Sequence, residues 1–177
     1  MARILGIDPG SLLTGWGIVD TEGATVRLVA SGTIRTNGVE FVERLRIIAA
    51  EVAEVVAMHA PDEVAVESAF VQKNASSALK LGHARAAAIC GTFGRQLPIS
   101  EYAPRAVKQA VVGKGAADKQ QVQHMVSVLL GIKTPLQADE SDALGVALCH
   151  AFQRNMRGKV GELGNLASRT RRGGRRR

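Results

Sequence analysis

The hydrophobic residues of this chain first change their spacing shortly after residue 35. Before that point they lie in three short extended runs, separated by the turn signals Pro9-Gly10 and Glu22-Gly23. The runs cover residues 3–8, 14–20 and 25–35. Three successive strands joined by tight turns predict an antiparallel meander. From Val39 to His59 the apolar residues recur at helical spacing instead, which predicts a long amphipathic helix.

A short apolar run without a polar face follows this helix. Pro61-Asp62 ends the helix, and EVAVE at 63–67 is typical of a strand buried on both faces beside a covering helix. The rest of the chain contains four helical segments and one more short strand. The predicted helices lie at about 74–96, 104–112, 118–130 and 136–155, and the strand lies at 98–102. A meander followed by alternating helices and strands predicts an α/β fold with a mixed five-stranded sheet and helices on both faces.

The length and charge of the chain suggest one domain with a basic tail. A chain of 177 residues that is 46% hydrophobic has ample material for one buried core. Residues 168–177 hold six of the 23 Lys and Arg and no acid, so the rest of the chain has 23 minus six, or 17, basic residues against 16 acidic ones. We therefore expect a domain at 1–157 and a disordered basic tail at 158–177. The tail either solubilises the protein or holds a polyanion.

The cysteines and the N-terminus indicate the compartment. Cys90 and Cys149 lie in apolar segments without CxxC spacing, as expected for free thiols in a reducing environment. The first residues run directly into a strand and do not have the pattern of a signal peptide. No apolar stretch approaches the roughly 18 residues that a membrane-spanning helix needs. We expect a soluble, cytoplasmic protein.

Four acidic residues occupy the ends of predicted elements. Asp8 ends the first strand and Glu67 ends the strand at 63–67, so parallel pairing of these strands would bring both carboxylates to one edge of the sheet. Asp139 and Asp142 are three residues apart at the start of the last helix and share a face, whereas Glu140 lies off that face. Each acid also has an ordinary explanation, as a turn residue, a solvated strand end or a helix N-terminal acid.

Together, however, these acids predict a site for divalent metal ions. Carboxylates packed close together repel each other, and bound cations relieve that repulsion. Oxygen ligands without His or Cys favour Mg²⁺ or Mn²⁺ over Zn²⁺. Two such ions, about 4 Å apart, assist hydrolysis of a phosphate ester by activating water and stabilising the leaving oxygen.

Other catalytic motifs are absent from the sequence. The four histidines have no paired ligand spacing, and no GxSxG motif occurs. GKGAADK at 113–119 is glycine-rich and basic but lacks the order of a Walker A loop. Metal-assisted phosphate chemistry is therefore the leading hypothesis.

Five separated segments carry more specific motifs. They are GIDPGS at 6–11, ES-x-F at 67–70, KNASSALKLG at 73–82, VKQAVVGKGAADKQQVQHMV at 107–126 and QADESDAL at 137–144. In order and spacing they resemble the RuvC family of Holliday junction resolvases, within the ribonuclease H-like nuclease superfamily. The resemblance extends over about residues 1–155.

This resemblance implies roles for individual residues. The four metal-binding catalytic acids of the family match Asp8, Glu67, Asp139 and Asp142. The lysines of its catalytic face match Lys108 and Lys119, and its junction-contacting aromatic residue matches Phe70. It also implies a homodimer that makes paired nicks across a four-way DNA junction and leaves ligatable ends, with the branch-migration complex of RuvA and RuvB as a partner.

Basic residues around the acids are candidates for contacts with DNA phosphates, because carboxylates alone would repel a polyanion. The candidates are Lys73, Lys80, Arg85, Arg105, Lys108, Lys114 and Lys119. Phe70 either stacks on an unpaired base or belongs to the core. The small residues at 84–91 suit either a subunit interface or a helix that faces the core.

We expect a ribonuclease H-like, metal-dependent crossover junction endodeoxyribonuclease that acts in DNA recombination and repair. One alternative is a non-enzymatic protein that binds branched DNA through its basic tail. The other is an actin-like phosphotransferase, which also begins with an Asp-x-Gly turn after a strand. That class needs a second lobe, for which this chain is too short.

Overall fold

A computed structural model describes residues 1–68 and 74–173, with side chains described up to residue 158. The strands are β1 (Ala2–Asp8), β2 (Leu13–Glu22), β3 (Thr25–Arg35), β4 (Glu63–Glu67) and β5 (Ile99–Tyr102). The α-helices are α1 (Phe41–His59), α2 (Ala75–Cys90), α3 (Pro104–Val112), α4 (Lys119–Leu130) and α5 (Ala138–Gly173). A short 3₁₀ turn at Phe93–Arg95 separates α2 from β5.

The five strands form one mixed sheet in the order β3-β2-β1-β4-β5. β1, β2 and β3 pair antiparallel, as the meander predicts, whereas β1 pairs parallel to β4 and β4 parallel to β5. Ile7 lies opposite Val66 in the parallel register. The next residues, Asp8 and Glu67, therefore end neighbouring strands at the same edge of the sheet.

Helices cover both faces of the sheet and create two cores. On one face α3, α4 and α5 bury residues such as Val107, Val126 and Leu144 against β1, β2 and β4. On the other face α1 and α2 bury residues such as Ile48 and Ala84. Ala84, Ala87 and Ala88 are buried, so part of the small-residue segment at 84–91 faces the core. The predicted mixed five-stranded sheet with helices on both faces is confirmed.

Two helices end at other residues than the sequence predicts. α2 ends at Cys90 and not near 96; the Thr92 hydroxyl donates a hydrogen bond to the Ile89 carbonyl (2.7 Å), and the chain then enters the 3₁₀ turn. α5 ends at Gly173 and not near 155. No proline follows Pro135, and isolated glycines cost a helix only about 1 kcal/mol each. The helical backbone thus includes most of the residues assigned to the basic tail, and the domain boundary at 157 stays a prediction.

Among the described residues, no helix combines the length and the apolar sequence needed to cross a bilayer.

Candidate metal-binding active site

Two of the four acids lie at the carboxyl edge of the sheet, where the parallel strands β1 and β4 end. Asp8 is the last residue of β1, and Glu67 is the last residue of β4. β1 stops there because Pro9 follows and cannot donate to the ladder. The Thr14 hydroxyl closes the turn that follows by donating to the Gly10 carbonyl at 2.8 Å. The turn thus leaves the Asp8 carboxylate at the end of the strand.

The start of α5 supplies the other two acids. The helix begins at Ala138 and packs across β1 and β2, so its first turns lie over the end of β1. Asp139 and Asp142 lie on one helix face, as their spacing predicts. Glu140 instead receives a long hydrogen bond from the Ser31 hydroxyl (3.5 Å) on β3. The structure therefore separates Glu140 from the acid pair.

Burial and neighbouring charge perturb the two strand-end acids. The pKa of Asp8 rises from 3.8 to about 8, first because the carboxyl is buried and then because Glu67, Asp142 and Asp139 are negative. The pKa of Glu67 rises from 4.5 to about 7, through burial and then the charge of Asp142. Burial alone would raise both pKa values, but the added effect of neighbouring negative charges requires the acids to lie near one another, as the sequence predicts.

Two lysines oppose this accumulation of negative charge. Lys119 is the first residue of α4, and its Nζ lies 2.6 Å from Oδ2 of Asp142. The hydrogen bond with Asp142 is the main reason that the pKa of Lys119 is raised. A capping box between Asp118 and Gln121 fixes this helix end, with the backbone N–H of Gln121 donating to Oδ1 of Asp118 at 2.8 Å. Lys108 and Lys119 both lower the pKa of Glu67.

Two of the four acids and both lysines line a cavity of about 170 Å³, whereas Asp8 and Asp139 are not among its lining residues. Its lining residues are Glu67, Pro104, Val107, Lys108, Lys119, Val122 and Asp142. The apolar walls strengthen charge interactions, because the local dielectric constant is lower than that of water. Sequence reasoning did not find Pro104, Val107 and Val122, since apolar helix residues of this kind look the same whether they line a site or fill a core.

The chemistry of the donors fits a hard divalent cation. The acids at this edge offer only carboxylate oxygens, which Mg²⁺ and Mn²⁺ prefer. Within residues 1–68 and 74–158, no three Asp, Glu, His or Cys side chains are arranged to hold one ion together as they stand. One carboxylate oxygen of Asp142 is instead taken by Lys119. Ion binding would therefore require these side chains to reorient.

The candidate DNA contacts differ in their surroundings. Lys108 and Lys119 line the cavity, and Lys114 is exposed in the loop between α3 and α4. The side chain of Arg105 packs next to Gly115 in that loop. These four residues lie on the α3–α4 side of the site.

The two α2 candidates are engaged within the protein. Arg85 Nη2 lies 2.5 Å from Oε2 of Glu101, although the angle is not that of a hydrogen bond. Lys80 Nζ lies 5.9 Å above the ring of Phe41. Phe70 and Lys73 lie outside the described residues.

The family assignment follows from a comparison with known proteins. The family model described as crossover junction endodeoxyribonuclease RuvC matches residues 4–150, a range that includes all four acids and both lysines. The chain belongs to the RuvC family. This family is one of metal-dependent nucleases, in agreement with the donor set described above.

Curated relatives carry the same description. The RuvC protein of Methylococcus capsulatus is 58% identical over 154 residues, which cover 87% of this chain and 93% of the relative. That of Ectopseudomonas mendocina is 53% identical over 175 residues, or 99% of this chain and 98% of the relative.

Solved structures confirm the ribonuclease H-like fold. T. thermophilus RuvC in complex with a Holliday junction substrate has a TM-score of 0.83 and 37% identity, covering 88% of this chain and 96% of that one. The yeast mitochondrial Holliday junction resolvase is only 12% identical, with a TM-score of 0.63, and shares the fold alone.

Proposed function

We propose that this RuvC-family chain is a crossover junction endodeoxyribonuclease, which resolves four-way DNA junctions in recombination and repair by metal-dependent hydrolysis of phosphodiester bonds. The observation that carries the proposal is the meeting of Asp8, Glu67, Asp139 and Asp142 at one edge of the sheet, beside a cavity that also contains lysines. Acids and lysines together suit a substrate that is negatively charged and needs a cation for cleavage.

The four carboxylates hold the metal in this proposal. Mg²⁺ is the expected ion, with Mn²⁺ as a substitute and two ions in each site. When bound, two such ions supply an activated water and stabilise charge on the leaving oxygen. Asp8 and Glu67 must first lose the protons that their raised pKa values favour, because a ligand carboxylate is ionised. The affinity for metal should accordingly increase with pH up to about 8.

Lysines around the cavity bind and orient the phosphate. Lys119 pairs with Asp142, so its ammonium group lies within reach of whatever occupies the acidic centre. Lys108 lies on the same cavity wall and adds positive charge, which balances the developing charge on the phosphate. Arg105 and Lys114 extend this basic side toward the flanking DNA. For Phe70, Lys73, Lys80 and Arg85, contact with DNA stays a prediction.

Two copies of the chain are expected to act together. A four-way junction has approximate two-fold symmetry, so a two-fold dimer with one acidic site in each subunit can address two equivalent strands. Paired nicks of this kind leave ends that a ligase can join. RuvA with RuvB is the proposed partner complex, on the basis of the resemblance to the family. The proposed location is the cytoplasm, on the basis of the cysteine and N-terminal patterns of the sequence.

A cleavage assay with matched substrates tests the proposal. A labelled mobile four-way junction and a linear duplex of the same sequence are each incubated with the protein, with Mg²⁺ or with EDTA. We expect paired nicks in the junction only when Mg²⁺ is present and no cleavage of the duplex. Binding of the junction without any nicking in Mg²⁺ or Mn²⁺ would instead favour a non-enzymatic branched-DNA-binding protein.

A further inference from the structure

Three strand glycines lie directly beneath α5. Gly6 in β1 pairs with Gly17 in β2, and Gly15 in β2 pairs with Asp8 itself. A methyl group built on Gly15 would lie 2.5 Å from the carbonyl carbon of Asp139 and closer still to its oxygen. Built on Gly17, it would lie 2.5 Å from Leu144 Cδ2. These distances are too short for any real side chain.

Glycine is needed at these positions because a larger side chain would not fit, and not because the backbone has an unusual φ angle. Among the described residues, the glycines with positive φ are Gly23, Gly38, Gly113 and Gly131. Gly6, Gly15 and Gly17 instead have the extended backbone of a strand, which any residue adopts. Glycine in the interior of a strand often marks a place where another backbone approaches closely. Here the approaching backbone is the start of α5.

The contact at Gly15 joins two of the proposed metal ligands. Gly15 lies beside Asp8 across the β1–β2 ladder, and it touches the main chain of Asp139 above it. Any side chain at this position would lift the first turn of α5 away from the sheet. Asp139, and Asp142 one turn later, would then move away from Asp8.

We infer that Gly15 is a positioning residue that sets the separation between Asp8 and the acid pair of α5, while Gly6 and Gly17 seat the next turns of the helix. This inference rests on the proposed metal-binding role of the four acids. Carboxylates that share an ion need their oxygens within a few ångströms of one point. A shift of the helix by the thickness of a methyl group is therefore enough to weaken ion binding while leaving the basic DNA-binding side in place.

A matched pair of glycine substitutions tests the inference. Gly15→Ala adds a methyl group beneath α5. Gly32→Ala adds one on the opposite side of the sheet, where it would lie 2.6 Å from Cζ2 of Trp16 in the core under α1 and α2. Mn²⁺ binding to the full-length chain is measured by electron paramagnetic resonance, and thermal unfolding is followed in parallel. We expect both variants to unfold at a lower temperature than the wild type. Only Gly15→Ala should also bind Mn²⁺ more weakly, by about tenfold or more.

A relief experiment covers the case in which Gly15→Ala does not fold. Gly17→Ala should also weaken Mn²⁺ binding, and adding Leu144→Ala should restore it, because that change removes the side-chain atoms that the new methyl meets. Equal Mn²⁺ affinity of the wild type and Gly15→Ala, or of the wild type and Gly17→Ala, would overturn the positioning role. Failure of the wild type itself to bind Mn²⁺ would overturn the proposed metal site instead, so the two outcomes are distinguishable.

Discussion

The carboxyl group of Asp8 connects stability with function at the scale of a single residue. In the folded protein its pKa is about 8, against 3.8 as the ordinary value, mainly because the group is buried. Between these two pH values the unfolded chain ionises Asp8 while the folded protein keeps it protonated. The folded state then binds more protons, so the free energy of unfolding falls as pH rises. Glu67, with a pKa of about 7, contributes in the same direction.

Asp8→Asn should therefore stabilise the protein when divalent cations are absent. In EDTA at pH 8 we expect Tm to rise by about 4 °C, with a smaller gain at pH 5, where less of the stability has been lost. Differential scanning calorimetry at the two pH values measures this. Glu51→Gln, on an exposed position of α1, is the control and should leave Tm unchanged. A variant less stable than the wild type at pH 8 would contradict the pKa assigned to Asp8.

Asp142→Asn should separate cleavage from binding. Loss of one ligand carboxylate should slow junction nicking by more than about 100-fold, the upper cost of losing a secondary partner of a metal ligand. Junction binding should persist, because the phosphate contacts proposed for Lys108, Arg105 and Lys114 do not depend on the Asp142 carboxylate. Glu140→Gln, two residues away and directed toward Ser31, is the matched control and should nick at a normal rate. Nicking by Asp142→Asn at more than a tenth of the wild-type rate would exclude Asp142 as a ligand.

Among the helices and strands, the sequence patterns predict the features that depend on residues close together in the chain. The meander, the amphipathic α1 and the strand buried on both faces each follow from periodicity and turn residues. The parallel pairing of β1 with β4 follows from the order of the elements. The end of α2 does not follow from these patterns, because it coincides with a turn in which Thr92 bonds to the Ile89 carbonyl. For α5 the sequence does carry the information, since no proline follows Pro135, and the predicted end near 155 is too early.

The candidate site also combines features that the sequence predicts with contacts that it does not predict. The acids at strand and helix ends are visible in the sequence, as is the shared face of Asp139 and Asp142. The ion pair of Lys119 with Asp142 and the seat of α5 on Gly15 join residues distant along the chain. Such contacts exist only once the sheet and helices have packed, so no spacing rule indicates them.

A partly buried polar network joins α5 to β4 and β5. His150 in α5 hydrogen bonds to the Tyr102 hydroxyl of β5 (2.7 Å) and to Oε2 of Glu63 in β4 (2.6 Å). Arg154 donates to the other oxygen of Glu63 at 2.7 Å. Burial alone would raise the pKa of Glu63, but the hydrogen bonds from His150 and Arg154 lower it overall.

His150→Ala should consequently destabilise the fold by about 2–3 kcal/mol, because the buried Tyr102 hydroxyl loses its partner and the Glu63 carboxylate keeps only its bond to Arg154. Urea unfolding at pH 7 measures the loss. His124→Ala on the exposed side of α4 is the control, with an expected change within about 0.5 kcal/mol. Equal stability of the two variants would show that the network does not hold α5 to β4 and β5.

In the whole molecule, the four clustered acids lie at the carboxyl edge of the sheet, whereas a cluster of arginines lies at the C-terminal end of the sequence. Six Arg lie within residues 168–177, far along the chain from the four acids. A polybasic segment of this kind strengthens binding to any nucleic acid by releasing counterions and does so without reading sequence. Cleavage and general DNA affinity should therefore be separable.

Deletion of residues 168–177 tests this separation. At low salt we expect metal-dependent nicking at the normal rate. Junction binding should weaken, and the slope of log K against log salt should become shallower by about 0.9 for each phosphate that the tail no longer neutralises. A full-length variant with all six Arg replaced by Lys keeps the charge and should behave as the wild type. If the deletion abolished nicking even at low salt, the result would favour the alternative in which the protein binds branched DNA through its tail and has no separate catalytic site.

Anomalous diffraction from crystals soaked in Mn²⁺ tests whether the four acids, which are distant along the chain, bind metal together. We predict anomalous peaks within about 2.5 Å of carboxylate oxygens of Asp8 and at least two of Glu67, Asp139 and Asp142. The same peaks should be lost in crystals of Asp8→Asn. Peaks only elsewhere on the protein, or none at this edge of the sheet at saturating Mn²⁺, would contradict the account.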